Sequence, residues 1–225
     1  MKDNALYQLF ASGTLASHKP GEIIAYSNDH PKNVYCIKSG YVKVFSVNSR
    51  GEEYLHIIYK AGEIFPITSL NNHQQNGIYF SSIENAVTYS LPIATVMEEA
   101  KRNAEVSLAL AMQTVDQFNV YVNRVDNLEY KFGRERLVYR ILFLAGRFGK
   151  HSARGITIDV PITQKTLGSS VNLSRETVAR ELRRLESGGL VKYEDRRILI
   201  LNVEHLCNEL KDPISADFWG LNPQD

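Results

Sequence analysis

Short apolar runs separated by glycines dominate residues 18–91. Val34-Tyr35-Cys36-Ile37, Tyr41-Val42-Lys43-Val44-Phe45 and Tyr54-Leu55-His56-Ile57-Ile58 are rich in β-branched and aromatic residues. They partly alternate and so predict strands. Gly21, Gly40, Gly51 and Gly62 punctuate the segment, and Ser49-Arg50-Gly51-Glu52 supplies a turn. Many short strands with regular turns predict a roll, barrel or sandwich. The pattern changes near residue 94. From there to about residue 131 no proline or glycine occurs, which predicts one long helix. Leu108, Val115 and Val122 recur every seven residues, and Ala111, Phe118, Val125 and Phe132 form a second series offset by three. This a/d stripe has a period of 3.5 rather than 3.6, which favours a seam between two helices over packing on the domain's own core. Glu129 interrupts the first series.

Residues 136–148 read as another helix, with Leu137, Ile141, Leu144 and Ala145 on one face and Gly149 placed to end it. Residues 156–160 alternate like a short strand. Thr163 and Ser174 are both good N-caps, predicting helices over 164–170 and 175–187. Asn172 suits the left-handed corner between them, and Gly188-Gly189 the stop. On the second helix Val178, Leu182 and Leu185 share a narrow apolar sector, while Glu176, Arg180 and Arg183 face away from it. Arg175 stands at the first turn. Leu190-Val191-Lys192-Tyr193 and Ile198-Leu199-Ile200-Leu201, joined through Arg196 and Arg197, form a hairpin placed as a wing.

Charge sharpens this picture. Residues 1–131 carry net −2, residues 132–211 net +6 and residues 212–225 net −3. The basic charge therefore sits where two capped helices meet at a tight corner, as expected of a segment that meets a polyanion. Arginine forks match guanine O6 and N7, and glutamate accepts from cytosine N4. No apolar run is long enough to span a bilayer and the N-terminus lacks a signal-peptide core, so a cytoplasmic location is expected. Cys36 and Cys207 are far apart and form no metal-ligand cluster. Cys36 reads as a buried small hydrophobe.

The sequence resembles the CRP/FNR family of transcription regulators over about residues 18–210. Ser174-Arg175-Glu176-Thr177-Val178-x-Arg180 is similar to the family's recognition helix. Pro20-Gly21-Glu22-Ile23-Ile24, Val34-x-x-Ile37-x-Ser39-Gly40-x-Val42-Lys43-Val44 and Ala61-Gly62-Glu63 resemble its cyclic-nucleotide-binding-type β-roll. The resemblance implies an α+β chain with an N-terminal double-stranded, jelly-roll-like β-roll over 1–100. A dimerisation helix over 101–132, a winged helix-turn-helix over 133–211 and a tail over 212–225 would follow. It implies a homodimer whose seam is built from Leu108, Ala111, Val115, Phe118, Val122 and Val125. Arg175, Glu176 and Arg180 would read bases of double-stranded DNA, in half-sites similar to TGTGA. Thr163, Gln164, Ser174, Thr177, Arg183, Arg196 and Arg197 would meet the DNA backbone, and RNA polymerase would be a further partner.

The sequence departs from the family's cyclic-AMP pattern. Phe65-Pro66-Ile67-Thr68 replaces the expected Gly-Glu pair, and no arginine occurs between Arg50 and Arg102. The bidentate partner of a cyclic phosphate is missing, so cyclic AMP is not the expected effector. A pocket lined by Phe65, Thr68, Ser69, Tyr79 and Ser81 would take some other small molecule. Two alternatives stand beside this: a regulator whose roll is only a scaffold, and a cupin-like enzyme. The enzyme would need a His/Glu metal cluster that His56 and His73 alone do not supply. No catalytic residue, metal site or cofactor is expected.

Overall fold

The computed structural model describes residues 5–26, 32–71 and 77–221. The chain divides into two compact units, residues 1–122 and residues 123–225. His73 and Asn76 lie outside the described residues.

The first unit is the β-roll. It opens with α1 (Ala5–Ala11), a helix with Leu6 and Phe10 buried that the sequence pattern had not revealed. Among the described residues eight strands follow: β1 (Thr14–His18), β2 (Ile23–Tyr26), β3 (Asn33–Ser39), β4 (Val42–Val47), β5 (Glu53–Tyr59), β6 (Ile64–Phe65), β7 (Ile78–Ser82) and β8 (Ala86–Pro92). They form two antiparallel four-stranded sheets, ordered β1-β8-β3-β6 and β2-β7-β4-β5. The alternation read in β4 and β5 pairs these strands from Val42↔Tyr59 to Val47↔Glu53, with Gly51 at a φ of +77° in the turn. Val34, Cys36, Ile37, Ile57, Ile64 and Phe65 are buried to 1% exposure or less, which fixes which face of each strand is inward.

The helical region begins with α2 (Ile93–Arg102) and continues as α3 (Ala104–Glu129). One continuous helix from 94 to 131 was expected, and Asn103 breaks it. Asn103 adopts an extended backbone (φ −123°, ψ 107°) as α2 ends. Its side-chain carbonyl then accepts the Glu105 N–H at 3.0 Å, so it caps α3. Asparagine competes for backbone hydrogen bonds and so prefers caps to helix interiors.

Within the first unit α3 is fastened to the roll by two glutamines. Gln113 accepts the Ile64 N–H at 3.0 Å and donates to the Gly62 carbonyl at 2.8 Å. Gln117 donates to the Ile64 carbonyl and accepts the Tyr59 hydroxyl, both at 2.9 Å. These bonds satisfy the backbone of the very short β6. The heptad stripe points elsewhere: Leu108, Val115, Phe118 and Val125 are each at least half exposed, and Val122 is 39% exposed.

The second unit contains α4 (Gly133–Phe148), β9 (Gly149–Ser152), β10 (Gly155–Ile158), α5 (Gln164–Val171), α6 (Arg175–Ser187), β11 (Val191–Glu194), β12 (Arg197–Ile200) and α7 (Val203–Cys207). Its sheet runs β11-β12-β10-β9, all antiparallel. The α4 core face is the one anticipated, with Leu137, Ile141, Leu144 and Ala145 buried. Gly149 ends α4, though with φ −70° rather than the left-handed turn. Its smallness is needed because a Cβ there would stand 2.3 Å from the Ala145 carbonyl. Near the C-terminus Trp219 is buried against the Tyr139 ring, edge to face at 4.9 Å.

Candidate nucleic-acid interface

The corner between α5 and α6 is built from short-range chemistry. Thr163 Oγ1 accepts the Thr166 N–H at 3.1 Å and opens α5. Asn172 closes α5 in the left-handed conformation (φ 55°, ψ 48°), as the sequence suggested. Gly168 then lets the chain turn back: a Cβ there would lie 2.5 Å from the Leu173 carbonyl. Ser174 caps α6 through the Thr177 N–H at 3.1 Å. Val178, Leu182 and Leu185 are buried to 1% or less, so the inner face of α6 is fixed on the core.

The outer face carries the predicted base readers. Arg175, Glu176 and Arg180 are exposed, as is Arg183. Arg175 and Arg183 make no hydrogen bond or ion pair with the described residues. The Glu176 carboxyl is held below the usual carboxylate range by its own N–H at the helix start and by the Ser174 hydroxyl. It is therefore an ionised acceptor at neutral pH. Thr163, Gln164 and Thr177 are half-buried at the two helix starts, where N–H groups suit a phosphate.

The wing is a two-residue hairpin between β11 and β12. Asp195 and Arg196 both have positive φ, 50° and 61°, the geometry that matches strand twist in tight hairpins. Asparagine or glycine is the usual occupant, so an arginine here is held in a disfavoured conformation at the tip. Arg196 is exposed, whereas Arg197, its side chain 39% exposed, donates through Nε to the Asp159 carbonyl at 3.0 Å. The two wing arginines named from sequence are thus not equivalent. Lys165, exposed on the first turn of α5, and Arg154, exposed before β10, add positive charge beyond the residues expected from sequence. Lys165 was legible beside the Thr163 cap; Arg154 was hidden because β9 was not recognised.

The residues named for an effector pocket differ in their surroundings. Phe65 is fully buried, with Tyr35, Tyr59 and Phe80 rings stacked around it at 5.3–5.8 Å. Tyr79 stacks on Tyr26 and Phe45 at 4.3 and 5.3 Å. Ser81 is buried with its hydroxyl unpartnered among the described residues, Ser69 is half-buried and Thr68 is exposed. A groove of about 590 Å³ in the first unit lies elsewhere, lined by Cys36, Lys60, Glu63, Gln113 and Asp116 among others. Among the described residues no group of three His, Cys, Asp or Glu could hold a metal ion, and no helix is long and apolar enough to cross a membrane.

Two capped helices at a tight corner, a charged outer helix face and a following hairpin define a winged helix-turn-helix. Comparison with known proteins agrees. A Crp-like helix-turn-helix domain model matches residues 135–209 and a cyclic nucleotide-binding domain model matches residues 15–103. The global nitrogen regulator of Synechococcus elongatus is 24% identical over 184 residues, covering 81% of this chain and 83% of its own. Electron transport regulator A of Shewanella oneidensis is 23% identical, covering 83% and 74%. Among solved structures, FixK2 from Bradyrhizobium japonicum superposes with a TM-score of 0.75 at 19% identity, covering 90% of this chain and 99% of its own. A CRP-family regulator from Thermus thermophilus gives 0.74 at 19% identity, covering 89% and 99%. The chain has the CRP/FNR fold, a cyclic-nucleotide-binding-like β-roll joined to a Crp-like helix-turn-helix. It carries the two domains of a CRP/FNR-type DNA-binding transcription regulator.

Proposed function

We propose that the protein acts in the cytoplasm as a homodimer on a palindromic operator, with Arg175, Glu176 and Arg180 reading base edges and RNA polymerase as a further partner. The observation that carries this reading is the outer face of α6, where exposed Arg175 and Arg183 make no hydrogen bond or ion pair among the described residues while the inner face is packed. Unpaired guanidinium forks on a rigid helix suit guanine edges and phosphates. Thr163, Gln164, Ser174, Thr177, Arg183 and Arg196 meet the backbone. The exposed stripe of Leu108, Ala111, Val115, Phe118, Val122 and Val125 supports a two-helix seam. Two-fold symmetry then sets the half-sites about one helical turn apart. The test is stoichiometry: a duplex with two half-sites binds two chains, and a duplex with them moved half a turn apart loses most affinity. Equal binding to both duplexes contradicts the reading.

The roll responds to a small molecule other than cyclic AMP. A second reading, in which the roll is a scaffold without an effector, is favoured by the rings packed around Phe65. A melting-temperature screen against metabolites separates the two, because a ligand of the folded state raises the midpoint.

A further inference from the structure

Glu181 lies on α6, next in sequence to Arg180, and is only 5% exposed. Three guanidinium groups surround its carboxylate. Arg184 Nη1 donates to both oxygens, at 3.0 and 3.3 Å. Arg134, at the start of α4, approaches to 3.5 Å, and Arg180 Nε to 3.4 Å. Arg134 is itself gripped by Glu209 at 2.7 and 2.8 Å. A chain of charge-assisted contacts therefore runs from Glu209 through Arg134 to Glu181 and on to Arg184 and Arg180.

A carboxylate is an odd choice for the inner edge of a helix that meets phosphates, because it subtracts from the positive field. A buried charge is also costly unless it is well paired. From the geometry we infer that Glu181 is a positioning residue for base reading, and the inference rests on the assignment of Arg180 as a base reader. Through Arg134 it ties the turn of α6 that carries Arg180 to α4. Through its contact with Nε it biases Arg180 so that Nη1 and Nη2 point outward as the bidentate pair for guanine. The 3.4 Å contact is long for a hydrogen bond, and the Arg180 side chain remains 54% exposed. Its effect is to narrow the rotamers of Arg180 before DNA arrives, not to sequester the charge. Less ordering is then left to be done on binding.

Pure electrostatics and positioning predict opposite outcomes for Glu181→Gln. Removing a negative charge from the interface should tighten binding to every sequence alike. Loss of positioning should instead lower discrimination at the G·C pair read by Arg180, by roughly three- to tenfold, while affinity for non-specific duplex stays level or rises. The full-length protein is measured on its operator, on the operator with that pair replaced, and on random duplex, for wild type, E181Q, R180A and the double variant. The proposal expects E181Q to add no further loss of discrimination on top of R180A, since both act through one contact. Unchanged discrimination in E181Q, or a loss fully additive with R180A, overturns it. If E181Q does not fold, Glu181→Met fills the buried site without a charge and is judged by the same criteria. A wild type with no preference at any G·C pair overturns both the base-reading assignment and this proposal. A wild type that discriminates beside an E181Q that discriminates equally overturns this proposal alone.

Discussion

The Ser174 hydroxyl accepts the Thr177 N–H at 3.1 Å and donates to Thr177 Oγ1 at the same distance. One side chain thereby satisfies an orphan donor of α6 and orients the threonine hydroxyl expected to meet a phosphate. Ser174→Ala should cost about 1 kcal/mol by urea unfolding. Ser174→Asp, an equally good cap, should restore that stability yet weaken DNA binding by placing a negative charge beside the phosphates. An aspartate variant with both stability and wild-type affinity would show that Ser174 does not face the DNA.

Phe118 is 66% exposed at the centre of the α3 stripe. Phe118→Glu places an unpaired charge in each half of the proposed seam, and desolvating both is costly. Light scattering should find a monomer and operator affinity should collapse. A stable dimer with unchanged affinity means that the stripe serves another purpose.

Arg196 sits at positive φ on the wing tip, where glycine would be unstrained. Arg196→Gly should therefore stabilise the fold by up to about 1 kcal/mol and at the same time weaken binding to all sequences. The salt dependence of binding should become shallower, by about one counterion per wing. Opposite shifts in melting temperature and affinity mark a residue kept for its contact and not for the fold; a parallel fall in both contradicts this.

Arg140 is 3% exposed on α4, with its Nε unpartnered among the described residues and its guanidinium over the Phe143 ring at 5.3 Å. Burial, with repulsion from Arg124 and Arg147, pushes it down to about 9. The folded state thus binds this proton less tightly than the unfolded state. The penalty is full below about pH 9 and shrinks as pH rises through that value. Arg140→Met should stabilise the protein by about 1–4 kcal/mol at neutral pH, with the advantage narrowing in alkaline buffer. A lower melting temperature for the variant at pH 7 contradicts this account.

The sequence was most legible where structure is local. Thr163, Asn172 and Ser174 specify their corner by side-chain-to-backbone bonds within three residues, and both helices formed at nearly the expected bounds. Asn103 carried a usable signal, since a capping residue inside a helical pattern is a candidate break. Glu181 was also within reach, lying about 60° from Val178 on the helical wheel, but its acidic identity suggested a solvated face. What could not be read depended on distant partners. Nothing near Phe65 in sequence announces Tyr35, Tyr59 and Phe80 around its ring, and nothing near Trp219 announces Tyr139. The difference between Arg196 and Arg197 likewise depends on Asp159, nearly forty residues upstream of the wing.

Selection of bound sequences from a random duplex pool tests the central claim most directly. Wild type should return a palindrome with half-sites similar to TGTGA. Arg180→Ala should lose roughly 1–3 kcal/mol per half-site and relax the preference at a single G·C pair in each. A non-palindromic wild-type consensus, or an Arg180→Ala consensus and affinity indistinguishable from wild type, would contradict the account.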